Sequence, residues 1–78
     1  MARLVFLGKL ADVAGAAECA VKPGALADVL ARLPAALAVA LLDERVRVAL
    51  NGELIAHPEA VILADGDELA FLPPVSGG

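Results

Sequence analysis

Apolar residues recur along the chain with helical spacing in its middle part. One stripe at i, i+3, i+4 and i+7 predicts an amphipathic helix that begins near Leu26 and is broken by Pro34. A second helical segment, apolar on most sides, is predicted over residues 35–42, and a short helical turn over residues 9–13. The members of the stripe are Leu26, Val29, Leu30 and Leu33.

Strands are predicted where short apolar or alternating runs lie between turn signals. Asn51-Gly52 is the strongest hairpin signal in the chain. Pro73-Pro74 is expected to end the last strand, because neither proline can donate a ladder hydrogen bond. A further brief apolar stretch covers residues 61–63. The predicted strands are residues 4–7, 18–22, 46–50, 53–56 and 68–72.

The order of these elements predicts the fold class. Two strands that can form a hairpin are followed by a helix and then by three more strands, an α+β arrangement. This is the order of the β-grasp, or ubiquitin-like, fold: a mixed sheet of about five strands with one main helix packed on one face. The first and last strands can then lie side by side at the sheet centre. We expect one domain over residues 1–72 and an extended, flexible C-terminal tail over residues 73–78.

Composition and charge exclude several classes of function. The 78 residues are 60% hydrophobic, enough for one small core without metal or disulfide support, and the net charge of −4 argues against nucleic acid binding. No apolar run is long enough to cross a bilayer and no leader peptide is expected, so a cytoplasmic location is predicted. We expect Cys19 to be a buried structural thiol and His57 a surface loop residue, with no metal site.

The tail offers the only chemistry that the residues suggest. After Pro73 and Pro74 the chain continues as Val75, Ser76, Gly77 and Gly78, and its six residues can reach roughly 20 Å. Such a tail can enter a narrow partner active site and place the Gly78 carboxylate there. A carboxylate is a poor electrophile, so adenylation by ATP would have to activate it before a sulfur donor or thiol displaces AMP. Ordinary terminal disorder is the alternative.

Three segments carry a family resemblance. They are Phe6-Leu7-Gly8-Lys9-Leu10-Ala11-Asp12, Val48-Ala49-Leu50-Asn51-Gly52-Glu53, and the stretch from Asp65 to Gly78 that ends in Pro-Pro-Val-Ser-Gly-Gly. Together they resemble the small subunits of molybdopterin synthase, which are ubiquitin-like sulfur carriers. The C-terminal segment is specific, whereas the other two are supportive.

The resemblance implies a cycle in which this chain is a sulfur-donating subunit and the catalytic residues lie on the large synthase subunit. An E1-like enzyme, using ATP, would adenylate Gly78, and a sulfur donor system would convert it to a thiocarboxylate. The tail would then enter the large subunit, in a heterotetramer, and donate sulfur to cyclic pyranopterin monophosphate to form the molybdopterin dithiolene. No bound cofactor, nucleic acid or membrane is expected. A sulfur carrier for thiamine thiazole or tRNA thiolation, and a ubiquitin-like protein modifier, remain alternatives.

The resemblance also implies a docking patch for the adenylating enzyme at Leu7, Leu54 and Leu72. Strand parity is compatible with it. If Leu4 and Phe6 face the core, Leu7 lies on the opposite face. Leu72 has the same outward parity on the last strand, and Leu54 follows the Asn51-Gly52 turn. Family members often carry aromatic residues where this chain has Leu7 and Leu72, so the patch should bury less area here.

Overall fold

The computed structural model describes residues 1–74, and residues 75–78 of the predicted tail lie outside the described residues. Within residues 1–74 there are seven strands, three α-helices and one 3-10 turn, Pro58–Ala60. The strands are β1 (Ala2–Phe6), β2 (Glu18–Val21), β3 (Gly24–Ala25), β4 (Arg47–Leu50), β5 (Glu53–Leu54), β6 (Ile62–Leu63) and β7 (Glu68–Leu72). The helices are α1 (Lys9–Ala14), α2 (Leu26–Ala31) and α3 (Ala35–Leu41).

The main sheet has five strands in the order β2-β1-β7-β4-β5. The central strands β1 and β7 run parallel, and the other neighbours are antiparallel. β3 and β6 form a separate two-stranded sheet. The α+β, β-grasp prediction is therefore confirmed, including the adjacency of the first and last strands.

The core lies between the helices and one face of the main sheet. Leu4 and Phe6 of β1 and Leu69 and Phe71 of β7 are buried because alternate residues of a strand point to the same side. The rings of Phe6 and Phe71 stack with their centroids 6.0 Å apart. From the helices, the buried residues are Leu10, Leu26, Val29, Leu30, Leu37 and Leu41.

Pro34 divides the helical layer into two short helices. α2 ends at Ala31 with Arg32 as its C-cap, and Pro34 is the N-cap of α3. A proline at this position can precede a helix but cannot continue one, since it has no backbone N–H to donate. α1 ends at Ala14, and its C-cap Gly15 has a left-handed backbone with φ 75°. The predicted helical turn is therefore confirmed.

The Asn51-Gly52 hairpin is also confirmed. Both residues have positive φ, 51° and 85°, as a type I′ turn requires. The Asn51 side chain accepts a hydrogen bond from the Glu68 N–H at 2.9 Å and donates one to the Asp67 carboxylate at 3.0 Å. The turn is thus held against the start of β7.

Several strand predictions differ from the structure. The first strand, predicted over residues 4–7, covers Ala2–Phe6, so Leu7 lies just after it. The strand predicted over residues 53–56 ends at Leu54, and β3 was not predicted. β3 exists because Gly24 and Ala25 pair with Leu63 and Ile62. A two-residue strand has no periodicity of its own, so only its distant partner defines it.

Candidate functional site

The tail begins at the end of the central strand β7. Leu72 is the last strand residue, and Pro73 and Pro74 follow it half-buried. The Leu7 N–H donates to the Phe71 carbonyl at 3.1 Å, so β1 supports β7 up to this point. Gly8, with φ 53°, lies so close to Pro73 that a Cβ on Gly8 would be 3.1 Å from the Pro73 Cγ. The predicted reactive end and most of the tail, Val75, Ser76, Gly77 and Gly78, lie outside the described residues.

The sheet face opposite the helices carries a row of apolar residues, one from each of four neighbouring strands. In register, Val5 pairs with Ala70, Ala70 with Ala49, and Ala49 with Leu54. This row runs from β1 across the sheet to β5, roughly 14 Å at the usual spacing between strands. We call this side of the sheet the open face; it comprises this row together with Leu7 and Leu72.

Leu7 and Leu72 extend the open face towards the tail. Phe6 and Phe71 are register partners, so the residues that follow them, Leu7 and Leu72, lie beside each other. Leu7 is 43% exposed and Leu54 67% exposed, whereas Leu72 is half-buried. The three leucines of the predicted docking patch therefore share one side of the sheet, and their role in binding a partner stays a prediction.

Charged residues lie at both ends of the open face. At one end Arg3 forms ion pairs with Glu68 and, at 3.6 Å, with Glu18. At the other end the exposed Arg47 is the register partner of Leu72, next to the start of the tail. Exposed ion pairs of this kind contribute little to stability.

A second charged feature lies at the end of the helical layer, away from the open face. The Arg45 side chain and backbone N–H donate hydrogen bonds to the Asp43 carboxylate, at 2.9 to 3.2 Å. Together they lower the pKa of Asp43 to about 2.

The environments of Cys19 and His57 give no indication of a catalytic role. Cys19 is half-buried, and this burial raises the pKa of its thiol, so a thiolate nucleophile is disfavoured. His57 is exposed and lies 3.3 Å from the Glu59 carboxylate. The prediction for His57 is confirmed, whereas Cys19 is only partly buried and not fully buried as predicted.

The described part of the chain lacks both a metal-binding cluster and a helix able to span a membrane. Among residues 1–74 no group of three or more His, Cys, Asp or Glu side chains is arranged to hold a metal ion. Over the same range no helix has the length and apolar character needed to span a bilayer.

One feature of the structure was missed by the sequence reasoning. The exposed Lys22 lines a groove between β2 and α2 together with Arg32. The two residues are ten positions apart and belong to different elements, so no local pattern in the sequence brings them together.

Comparison with known proteins gives a consistent family assignment. The chain is 49% identical over 43 residues to the molybdopterin synthase sulfur carrier subunit of Escherichia coli K12. That match covers 53% of this chain and 48% of the relative, so the chain spans about half the length of the curated relative it matches.

Solved structures extend the likeness over nearly the whole chain. The crystal structure of SAMP1 from Haloferax volcanii has a TM-score of 0.70 and 35% identity, covering 99% of this chain and 98% of that one. The small archaeal modifier protein 1 of Methanosarcina acetivorans has a TM-score of 0.76 and 28% identity, covering 99% and 95%. The ThiS family model matches residues 4–78. The chain is therefore a member of the ThiS family.

Proposed function

We propose that this protein is a sulfur carrier that bears its sulfur on the carboxyl group of Gly78 and serves molybdopterin synthesis. The observation that carries the proposal is the 49% identity to the Escherichia coli molybdopterin synthase sulfur carrier subunit. The family match that includes residues 75–78 supports the choice of the tail as the working part.

The proposed cycle uses this chain as a substrate of other proteins. In the first step a carboxylate oxygen of Gly78 attacks the α-phosphorus of ATP on an adenylating enzyme, which releases pyrophosphate and leaves an acyl-adenylate. A sulfide-level donor then displaces AMP to give the thiocarboxylate. In the last step, on the large synthase subunit, the sulfur bonds to a carbon of cyclic pyranopterin monophosphate and displaces an oxygen substituent. Water then cleaves the resulting thioester, which leaves the sulfur on the pterin and regenerates the Gly78 carboxylate.

The geometry of residues 1–74 supports a carrier. β7 lies between β1 and β4 over a buried core, and it leads directly into Pro73 and Pro74. The open face lies beside that point and offers exposed apolar surface at Leu7 and Leu54. We propose that the adenylating enzyme docks on Leu7, Leu54 and Leu72, and that Pro73 to Gly78 then enter its active site.

Intact mass spectrometry tests the proposed function. The protein is incubated with its adenylating enzyme, ATP and a sulfur donor, and we expect a mass gain equal to the exchange of one oxygen for one sulfur. The C-terminal peptide should carry the change. A variant without Gly78 should show no gain, while its circular dichroism matches that of the parent. A mass gain that persists without Gly78, or that does not need ATP, would contradict the proposal.

A second function is supported by the two SAMP1 structures, since one of these relatives is described as a small archaeal modifier protein. A modifier would pass the activated Gly78 carbonyl to a lysine amine and form an isopeptide bond. The same reaction, run with lysates, separates the two functions. Isopeptide adducts that contain the Gly78 residue would favour a modifier, whereas a free thiocarboxylate that supports synthesis by a large synthase subunit would favour the carrier.

Identifying the partner protein tests which biosynthetic reaction receives the sulfur. We propose the large subunit of molybdopterin synthase, and expect it to copurify with this chain and to form molybdopterin from the pyranopterin substrate. Thiazole synthesis or tRNA thiolation with the same thiocarboxylate, in the absence of molybdopterin formation, would identify one of the alternative sulfur acceptors.

A further inference from the structure

The outer edge of β2 is an unpaired edge of the main sheet. β2 is the first strand in the sheet order, and within residues 1–74 its only strand partner is β1. Phe6 N–H donates to the Ala17 carbonyl at 2.8 Å, so Phe6 and Ala17 form a hydrogen-bonded pair. Hydrogen-bonded pairs alternate with non-bonded pairs in antiparallel strands. The backbone groups of Glu18 and Ala20 therefore point away from β1, towards the free edge.

A groove of about 460 Å³ lies beside this edge, between β2 and α2. Its apolar lining includes Cys19 and Val21 of β2 and Leu33, with the buried Val29 of α2 at its base. The side chains of Cys19 and Val21 face the helices, because their register partners Leu4 and Ala2 are buried on that side. The volume is in the range of pockets that bind ligands, and the lining can receive aliphatic side chains.

The rim of the groove is basic although the protein is acidic. Lys22 and Arg32 both line it and are exposed, in a chain with only six basic residues and a net charge of −4. Among residues 1–74 neither side chain lies within ion-pair distance of a carboxylate, whereas Arg3 and Arg45 are both paired. The two cations are therefore available to an acidic ligand.

An exposed strand edge beside an apolar groove is the arrangement that binds extended peptides by strand addition. Backbone hydrogen bonds supply affinity in that mode, and alternate side chains of the peptide enter the groove. We infer that β2 and the groove bind an extended segment of a partner protein that carries alternating aliphatic residues flanked by acidic residues. The aliphatic side chains contact the partly exposed Val21 and Leu33, and the acidic ones contact Lys22 and Arg32.

This site is separate from the open face. Cys19 and Val21 point to the helix side of the sheet, whereas Leu7 and Leu54 lie on the opposite side. The inference does not depend on the chemistry of the tail. A partner on β2 would leave the open face and the start of the tail accessible.

The first test is a titration of the full chain with a synthetic peptide of alternating Val and Thr followed by several Asp residues. We expect the backbone amide signals of Glu18 and Ala20 to shift, while that of Leu54 on the opposite sheet edge stays in place. The same peptide with Lys in place of Asp is the control. Equal binding of both peptides, or no binding of the acidic one, would overturn the inference.

Charge reversal tests the basic rim. Lys22→Glu with Arg32→Glu should weaken binding of the acidic peptide by about fivefold, because two exposed ion pairs are lost. Lys9→Glu with Arg47→Glu makes the same change in net charge elsewhere and should leave the affinity within about twofold. An equal loss in both double variants would show that only net charge matters, and the inference would be wrong.

Cys19, the only cysteine, reports on occupancy of the groove. We expect saturating peptide to slow alkylation of its thiol by iodoacetamide, and an unchanged rate at saturation would contradict binding at this site.

Ala20→Pro should prevent strand addition because it removes an outward N–H. The Ala20→Pro variant leaves the hydrogen bonds between β1 and β2 intact. If this variant does not fold, the Lys22→Glu, Arg32→Glu double variant tests the binding site instead.

Sedimentation of the free chain tests the competing occupant of the edge. A dimer whose formation protects Cys19 and is competed by the peptide would assign the edge to a second copy and overturn the inference. A monomer at the concentrations of the titration supports it. Sulfur loading of Gly78 is measured separately, so either result leaves the proposed carrier function to its own test.

Discussion

Replacing Leu54 by alanine should weaken docking of the adenylating enzyme without disturbing the fold. Leu54 is in the short strand β5 at the edge of the open face and is 67% exposed. Leu42 provides a matched control. It is the same residue type with the same exposed fraction, 67%, but it lies at the end of α3 on the helical side of the domain.

The size of the effect follows from the exposed area. Full burial of a leucine side chain is worth about 1.5–3 kcal/mol, so a partner that covers the exposed two thirds of Leu54 would gain about 1–2 kcal/mol. Alanine retains the Cβ, about a quarter of the side-chain carbons, and the expected loss is therefore about 0.8–1.5 kcal/mol. This corresponds to a decrease in affinity of about 4- to 13-fold. Leu7→Ala should have a smaller effect, because only 43% of Leu7 is exposed.

The assay is ATP-dependent pyrophosphate exchange by the adenylating enzyme at increasing concentrations of carrier. Leu54→Ala should lower kcat/KM through a higher KM, with the free energy of unfolding changed by less than about 0.5 kcal/mol. Leu42→Ala should leave kcat/KM within about twofold of the parent. If Leu42→Ala has the same effect as Leu54→Ala, or if Leu54→Ala has none, the open face is not the docking surface.

Three further predictions concern stability. Leu69→Ala should lower the free energy of unfolding by about 2–5 kcal/mol in urea titrations, because Leu69 is 0% exposed; a loss below about 1 kcal/mol would contradict the central packing of β7. The pKa of Asp43 is lowered to about 2, mainly by the Arg45 side chain, and that of Asp67 is lowered mainly by the Ala64 backbone N–H. The unfolded chain therefore binds more protons than the folded one below about pH 4. The free energy of unfolding should fall from about pH 4 to pH 2 as a result. Asp43→Asn should reduce this dependence of the free energy of unfolding on pH, as measured by acid denaturation. Asn51→Ala should cost about 1–3 kcal/mol, since it removes the hydrogen bonds to β7 and leaves a non-glycine residue without them at positive φ; thermal unfolding unchanged from the parent would refute that role.

Most of the fold could be predicted because its strongest signals are local. The alternation in residues 68–72 matches β7, and the Asn51-Gly52 pair forms the expected hairpin. Pro34 separates the two helices as expected. Each of these depends on backbone preferences within a few residues. β3 escaped prediction because it exists only by pairing with β6, nearly forty positions away.

The candidate site likewise has one part that the sequence could predict and one part that it could not. Parity along β1 and β7 predicts that Leu7 and Leu72 lie on the side opposite the core, and the structure has them there. The register across four strands, which aligns Val5 with Leu54 through two alanines, depends on long-range pairing and could not be obtained from the sequence.

By itself, the sequence determined the order of the elements, the glycines and prolines that end them, and the two residues, Gly77 and Gly78, on which the proposed chemistry rests. Only the tertiary structure decided which surfaces those elements form. β1 and β7 come together from opposite ends of the chain, and α2 comes to lie beside the free edge of β2. The apolar row of the open face and the basic rim around Lys22 and Arg32 are products of that packing. Local preferences act over a few residues, whereas a surface is made by residues that only the folded core holds together.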